Sequence, residues 1–167
     1  MGGGWVRLPL LSKNTINMKT ISTDKILQAY NLLNAAKYNK LSDADKIAIF
    51  KITRTIKPIA VEYQDACKDA VEKLKFEGFD EQLAKARNYE KSKNAGDDNL
   101  PMSDEEYSEF IKKLVEYDKI VKDAIKQLGD KEVEIDVDTM TEDSFGKLMA
   151  SNDWTMEQAM IASDIVC

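Results

Sequence analysis

Two stretches of this chain repeat apolar residues at alternating spacings of three and four. One carries Ile49, Ile52, Ile56, Ile59, Tyr63, Ala66 and Ala70; the other carries Tyr107, Phe110, Leu114, Tyr117, Val121, Ala124 and Leu128. Such a period draws one narrow stripe along one side of an α-helix, and that stripe must be buried against something. Two long stripes in a chain of 167 residues predict that they bury each other. The fold class is therefore mainly α: an antiparallel hairpin of two long helices, about 43–76 and 103–128, with short flanking helices. This arrangement sets Ile56 opposite Leu114 or Val121.

Helix signals extend the reading along the chain. A first helix is expected from Thr23 to Tyr38, with Ile26, Leu27, Tyr30 and Leu33 on one face. Ser42 is placed to cap the long second helix, and Asp43 and Asp45 suit the positive end of its dipole. Pro58 lies inside that helix; because the stripe stays in phase across it, a kink near Arg54 is expected rather than a break. Gly78 is read as the stop, followed by a shorter helix from Asp80 to about Lys91 that packs Leu83 and Ala86. The run 92–100 is polar and reads as a linker. Ser103 and Glu106 then form a Ser-x-x-Glu capping box, and Gly129 reads as the residue just past the helix end.

A minor β element is expected at about 132–138, where acidic and β-branched residues alternate. A lone strand is unstable, so it needs a partner: either Ile16 to Ile21 or the same strand of a second subunit. Two short helices close the chain, Glu142 to about Ala150 and Met156 to Ile165, the latter capped by Thr155 and Gln158. Residues 18–167 read as a single helical domain. Residues 1–17 differ in texture and read as a leader or flexible arm, with Met18-Lys19-Thr20 resembling a natural start. Arg7 and Pro9 interrupt any secretory core, and Val6 stands where myristoylation needs Ser or Thr. No stretch approaches the roughly twenty apolar residues of a membrane span. With Cys67 and Cys167 read as reduced, the expected setting is cytoplasmic.

Composition bears on function mainly by exclusion. The chain has no histidine, which removes every Ser/His or Cys/His nucleophile pair and any His-ligated metal site. There is no glycine-rich phosphate loop, and two cysteines cannot build a four-thiolate zinc site. Asp136, Asp138, Glu142 and Asp143 crowd together, but an EF-hand loop would need an oxygen ligand and a glycine where Met140 and Thr141 stand. No catalytic, cofactor or metal residue is assigned, and the chain reads as non-enzymatic.

The net charge of −6 divides unevenly: residues 1–60 carry ten Lys or Arg against three Asp or Glu, and the remainder fourteen against twenty-seven. Either the basic part meets a charged partner, or it folds back on the acidic part and neutralises it. Lys51, Arg54 and Lys57 form a basic ridge that would suit phosphate, so a nucleic-acid-associated accessory role through the basic face of residues 37–57 is the alternative reading. The same ridge can be the wet side of an amphipathic helix. The last two helices suggest a helix-turn-helix, but the would-be recognition helix lacks Lys and Arg and carries Glu157 and Asp164, which a duplex would repel. Met149, Trp154, Met156 and Met160 are the candidate protein-interaction surface, since methionine repacks easily around varied partners. The plainer reading, and the favoured one, is that they cover one end of the helical hairpin.

The run Lys-Ile-Thr-Arg-Thr-Ile-Lys-Pro-Ile-Ala at 51–60, the segment from Lys68 to Lys75 and the segment from Lys147 to Trp154 resemble small uncharacterised α-helical proteins of gut bacterial phages and prophages. The resemblance covers residues 19–166. It implies a phage accessory or structural component, in the host cytoplasm or the virion, and carries no active site with it. The expected function is a protein-interaction or assembly factor, with a protein partner or self-association, no cofactor and no membrane.

Overall fold

The computed structural model describes residues 18–167, so the leader at 1–17, including Ile16 and Asn17 of the expected strand partner, lies outside the described residues. Elements follow in the order β1 (Met18–Ser22), α1 (Thr23–Ala35), α2 (Asp43–Lys73), α3 (Phe79–Ala95), α4 (Asp104–Gly129), β2 (Glu132–Asp136), α5 (Glu142–Met149) and α6 (Met156–Val166). The mainly helical class with two long helices and a small β element is what the periodicity indicates.

The local start signals act where they stand in the sequence. Asp45 N–H donates to Ser42 Oγ at 3.2 Å. Ser103 and Thr155 each make a reciprocal capping box, with Glu106 and Gln158 respectively. Each cap satisfies backbone donors that the first helical turn leaves free. Asp45 also accepts from Ser144 Oγ of α5 at 2.8 Å, so it ties two helices together. Hydrogen bonds from Ser42 and Ser144 hold its carboxyl below the usual range.

Helix ends depart from expectation for tertiary reasons. α1 stops at Ala35, before the expected Tyr38. Asn152, in the turn between α5 and α6, accepts from Lys37 N–H at 2.8 Å and donates to Lys37 O at 3.1 Å, pinning that backbone outside a helix. α2 passes through Pro58 as one helix but ends at Lys73, short of 76. Phe76 instead joins an aromatic cluster, with ring centroids 5.1 Å from Phe79 and 6.3 Å from Phe110. α3 runs to Ala95, so the first half of the expected 92–100 linker is helical. Its last turn is held because Lys93 donates to Asp104 at 3.0 Å, and its stop is Gly96, at φ 75°.

Gly129 does not sit past α4; it is inside the last turn and buried. A Cβ there would lie 2.8 Å from Tyr63 Oη, so the glycine permits α4 to approach α2 closely. Thr23 Oγ1 donates to Leu128 O at 2.6 Å and satisfies a carbonyl at the end of α4.

The β partner is intramolecular. β1 and β2 are antiparallel, with Lys19 opposite Ile135 and Ile21 opposite Val133, and β2 ends at Asp136 rather than 138. Residues directly opposite each other share a face, so Lys19 lies on the inward side beside Ile21, Ile135 and the buried Val137. Its ammonium donates to the carbonyls of Asp164 and Ile165 at 3.2 Å, at the C-terminal end of α6 where a cation is favoured. Burial lowers its pKa, against the opposing influence of Cys167 and Asp164.

The two stripes do not bury each other along their length. The main core joins Ile26, Ala29 and Leu33 of α1 to Ile49, Ile52, Ile56 and Ala60 of α2, together with Leu148, Ile165 and Val166. No α4 residue belongs to it. α4 meets only the C-terminal half of α2: Tyr117 Oη donates to Val71 O at 2.7 Å, and Gly129 abuts Tyr63. Those two contacts make the helices antiparallel but staggered. Ile56 therefore faces α1 and the closing helices, not Leu114 or Val121.

Candidate functional site

The outer face of α2 is the most distinctive exposed surface. Opposite its buried stripe runs a second one with the same alternation of three and four: Ile47, Phe50, Arg54, Lys57 and Val61. Phe50 is 66 % exposed, Ile47 57 % and Val61 41 %. From Lys46 to Val61 there are four cations and no acid. Sequence reasoning recognised the ridge but missed the exposed apolar residues that flank its cations. The signal was present, because a helix with two heptad-spaced stripes can bury only one of them in its own core.

Within the ridge, Lys51 reaches Asp138 at 3.5 Å, whereas among the described residues Arg54 and Lys57 pair with no carboxylate. Lys46 pairs with Asp43 one turn earlier at 3.1 Å. The basic N-terminal part thus folds back on the acidic part only in places. Lys25 meets Asp164 at 2.8 Å, Lys40 donates to Ala150 O at 2.6 Å, and Lys19 caps α6. Arg54 and Lys57 keep their charge toward solvent.

The methionine and tryptophan candidates separate. Trp154 is half-buried against the main core and helps close it, and Met149 at the end of α5 is also half-buried. Met156 and Met160, one turn apart on α6, are 73 % and 64 % exposed. Around them, residues 153–167 contain Asp153, Glu157 and Asp164 and no cation.

The acidic group near β2 is dispersed: Asp138 faces Lys51 and Asp143 faces Lys147 at 2.5 Å. Among the described residues no three Asp, Glu or Cys side chains converge. An open cavity of about 660 Å³ lies between the α2–α3 turn and α4, lined by Leu74, Phe76, Tyr117 and Ile120, with Lys113 the cation on its wall. Glu77 and Glu116 also line it, and the Tyr117 hydroxyl there is engaged by Val71 O. Tyr63 is buried, and burial, then the neighbouring Cys67, pushes its pKa up to about 12. That is a packing consequence, since its oxygen faces Gly129. Among the described residues no helix is long and apolar enough to cross a membrane. The chain matches no family model, and the comparisons with curated proteins and with solved structures likewise gave no match.

Proposed function

We propose that this protein is a non-catalytic interaction or assembly factor, serving as an accessory or structural component of a bacterial phage in the host cytoplasm or the virion. The observation that carries the interaction part of this reading is the outer face of α2, where Ile47 and Phe50 stand more than half exposed beside Arg54 and Lys57; the phage setting rests on the sequence resemblance alone. Large apolar side chains at heptad spacing on a solvent face are what a helix presents to another helix. The interleaved cations add selectivity for an acidic partner rather than bulk affinity. A phosphate-binding face would gain nothing from Ile47 and Val61, which favours a protein over nucleic acid on this surface.

The test is affinity capture with two baits, the unmodified protein and a Phe50→Asp, Arg54→Ala variant. Both changes fall on exposed positions and should leave the fold intact, which circular dichroism checks. A partner retained by the first bait and lost from the second supports the reading. Identical captures from both baits would remove the α2 face from the function.

A further inference from the structure

We infer that the outer face of α2 receives the methionine face of α6 from a second copy of this chain, so that copies assemble head to tail. The inference rests on the interaction reading above and names its occupant. Charge complementarity selects that occupant. On α2, Lys46 and Lys51 already pair with Asp43 and Asp138, which leaves Arg54 and Lys57 without a carboxylate among the described residues; on the α6 side Asp164 pairs with Lys25, which leaves Asp153 and Glu157 without a cation there. Each also exposes large apolar side chains, Ile47, Phe50 and Val61 on one and Met156 and Met160 on the other. Flexible thioethers packing around a phenylalanine ring make a favourable contact, and Glu157 on the same helix offers a carboxylate that Arg54 or Lys57 can pair with. The lengths suit each other: the stripe from Ile47 to Val61 spans about 21 Å and α6 about 16 Å at the standard rise.

One copy cannot make this contact with itself. Ile52 and Ile56 of α2 and Ile165 and Val166 of α6 bury their opposite sides in the same core, so the two outer faces point away from each other. Only another molecule brings them together. Because the two patches differ, the contact is heterologous: it propagates as an open chain or closes as a ring, and is not satisfied by a two-fold dimer. A single helix on a helix buries less than the roughly 1,600 Å² of a standard stable interface, so the association is weak and concentration-dependent. Its attraction between opposite charges makes it weaken as salt rises.

Sedimentation velocity of the full chain, from low to high micromolar concentration and in 50 and 500 mM salt, tests this with two variants. Phe50→Asp with Arg54→Ala disables the α2 face; Met156→Asp with Met160→Asp disables the α6 face. The unmodified protein should grow in mass beyond a dimer as concentration rises, at least tenfold less readily at the higher salt. Each variant alone should stay monomeric. An equimolar mixture retains one intact face of each kind, so it should form a one-to-one complex that grows no further. An unmodified protein that is monomeric throughout, or association that both variants leave unchanged, overturns the docking of copies. So does association that strengthens with salt. The capture experiment keeps the two proposals apart: a partner lost with Phe50 from a protein that never self-associates ends this inference and leaves the interaction reading standing. Salt-sensitive binding of a 20-base-pair DNA duplex that is lost in the Phe50, Arg54 variant would end both.

Discussion

Replacing Ile56 by Ala probes the stagger between the two long helices. Ile56 is 0 % exposed, and its neighbours in the core come from α1, the sheet and the closing helices. Removing three carbons forfeits roughly 2.4 kcal/mol of transfer free energy at ~0.8 kcal/mol per group. The vacated volume, about 80 Å³ at ~24 cal/mol per Å³, adds roughly 2 kcal/mol where the surroundings do not collapse. The expected loss is therefore about 4 kcal/mol, a large part of the ~5–15 kcal/mol that holds a typical domain folded. In a thermal melt followed by circular dichroism this lowers Tm by about 8–16 °C.

The informative step is the pairing with Val121→Ala. Tyr117 lies level with Val71 and Gly129 with Tyr63, so Val121 sits about 18 Å from Ile56 along α2. Residues that far apart with no shared partner add within roughly 0.3–0.5 kcal/mol. Urea unfolding of both single variants and the double variant measures this, provided each transition is two-state. A loss below about 1 kcal/mol for Ile56→Ala would refute its burial in the main core, and a coupling to Val121 above about 1 kcal/mol would refute the staggered packing.

Gly129→Ala should destabilise despite alanine's better helix propensity, because its Cβ would meet Tyr63 Oη at 2.8 Å and Asp24 Cβ at 3.1 Å. Adding Tyr63→Phe should recover part of the loss, and a purely additive pair in urea unfolding would deny the contact. Tyr63 itself binds its proton more tightly folded, with a pKa of about 12, than at the ordinary 10.0 of the unfolded chain. That contribution to stability is intact below pH 10 and is lost as pH rises from about 10 to 12, since the unfolded state releases the proton first. Tyr63→Phe should flatten that slope. Asn152→Ala removes both side-chain bonds to the Lys37 backbone and should cost about 1 kcal/mol in chemical unfolding, because solvent can replace part of what is lost. The unmodified protein should show no appreciable binding to DNA or RNA in a polarisation assay at physiological salt, and micromolar binding abolished by Lys51→Glu with Arg54→Glu would reverse that expectation.

The helix starts at Asp43, Asp104 and Met156 were legible because a cap is a local device. Ser42, the Ser103–Glu106 pair and the Thr155–Gln158 pair act across three residues, so their spacing alone carries the information. The apolar period likewise marked α2 and α4 as long helices, and the alternation at Glu132 to Asp136 marked a strand. Helix ends were harder. Ala35 ends α1 because Asn152, 115 residues from Lys37, takes that backbone, and no local pattern encodes so distant a partner.

Glycine was misread for a related reason: its letter is the same whether it supplies a positive φ, as at Gly96, or room for Tyr63, as at Gly129. Lys19 shows the same ambiguity. On a strand it looks like a surface cation, and only the placement of α6 turns it into the cap of that helix's C-terminal carbonyls. The candidate site divides along the same line. The ridge Lys51, Arg54 and Lys57 and the methionines could be named from the sequence, but their exposure could not. α2 carries two stripes of equal period, and periodicity is blind to which one the rest of the chain covers. That choice is made by contacts between residues far apart in sequence: α1 and the closing helices bury Ile49, Ile52 and Ile56, which leaves Ile47 and Phe50 in water.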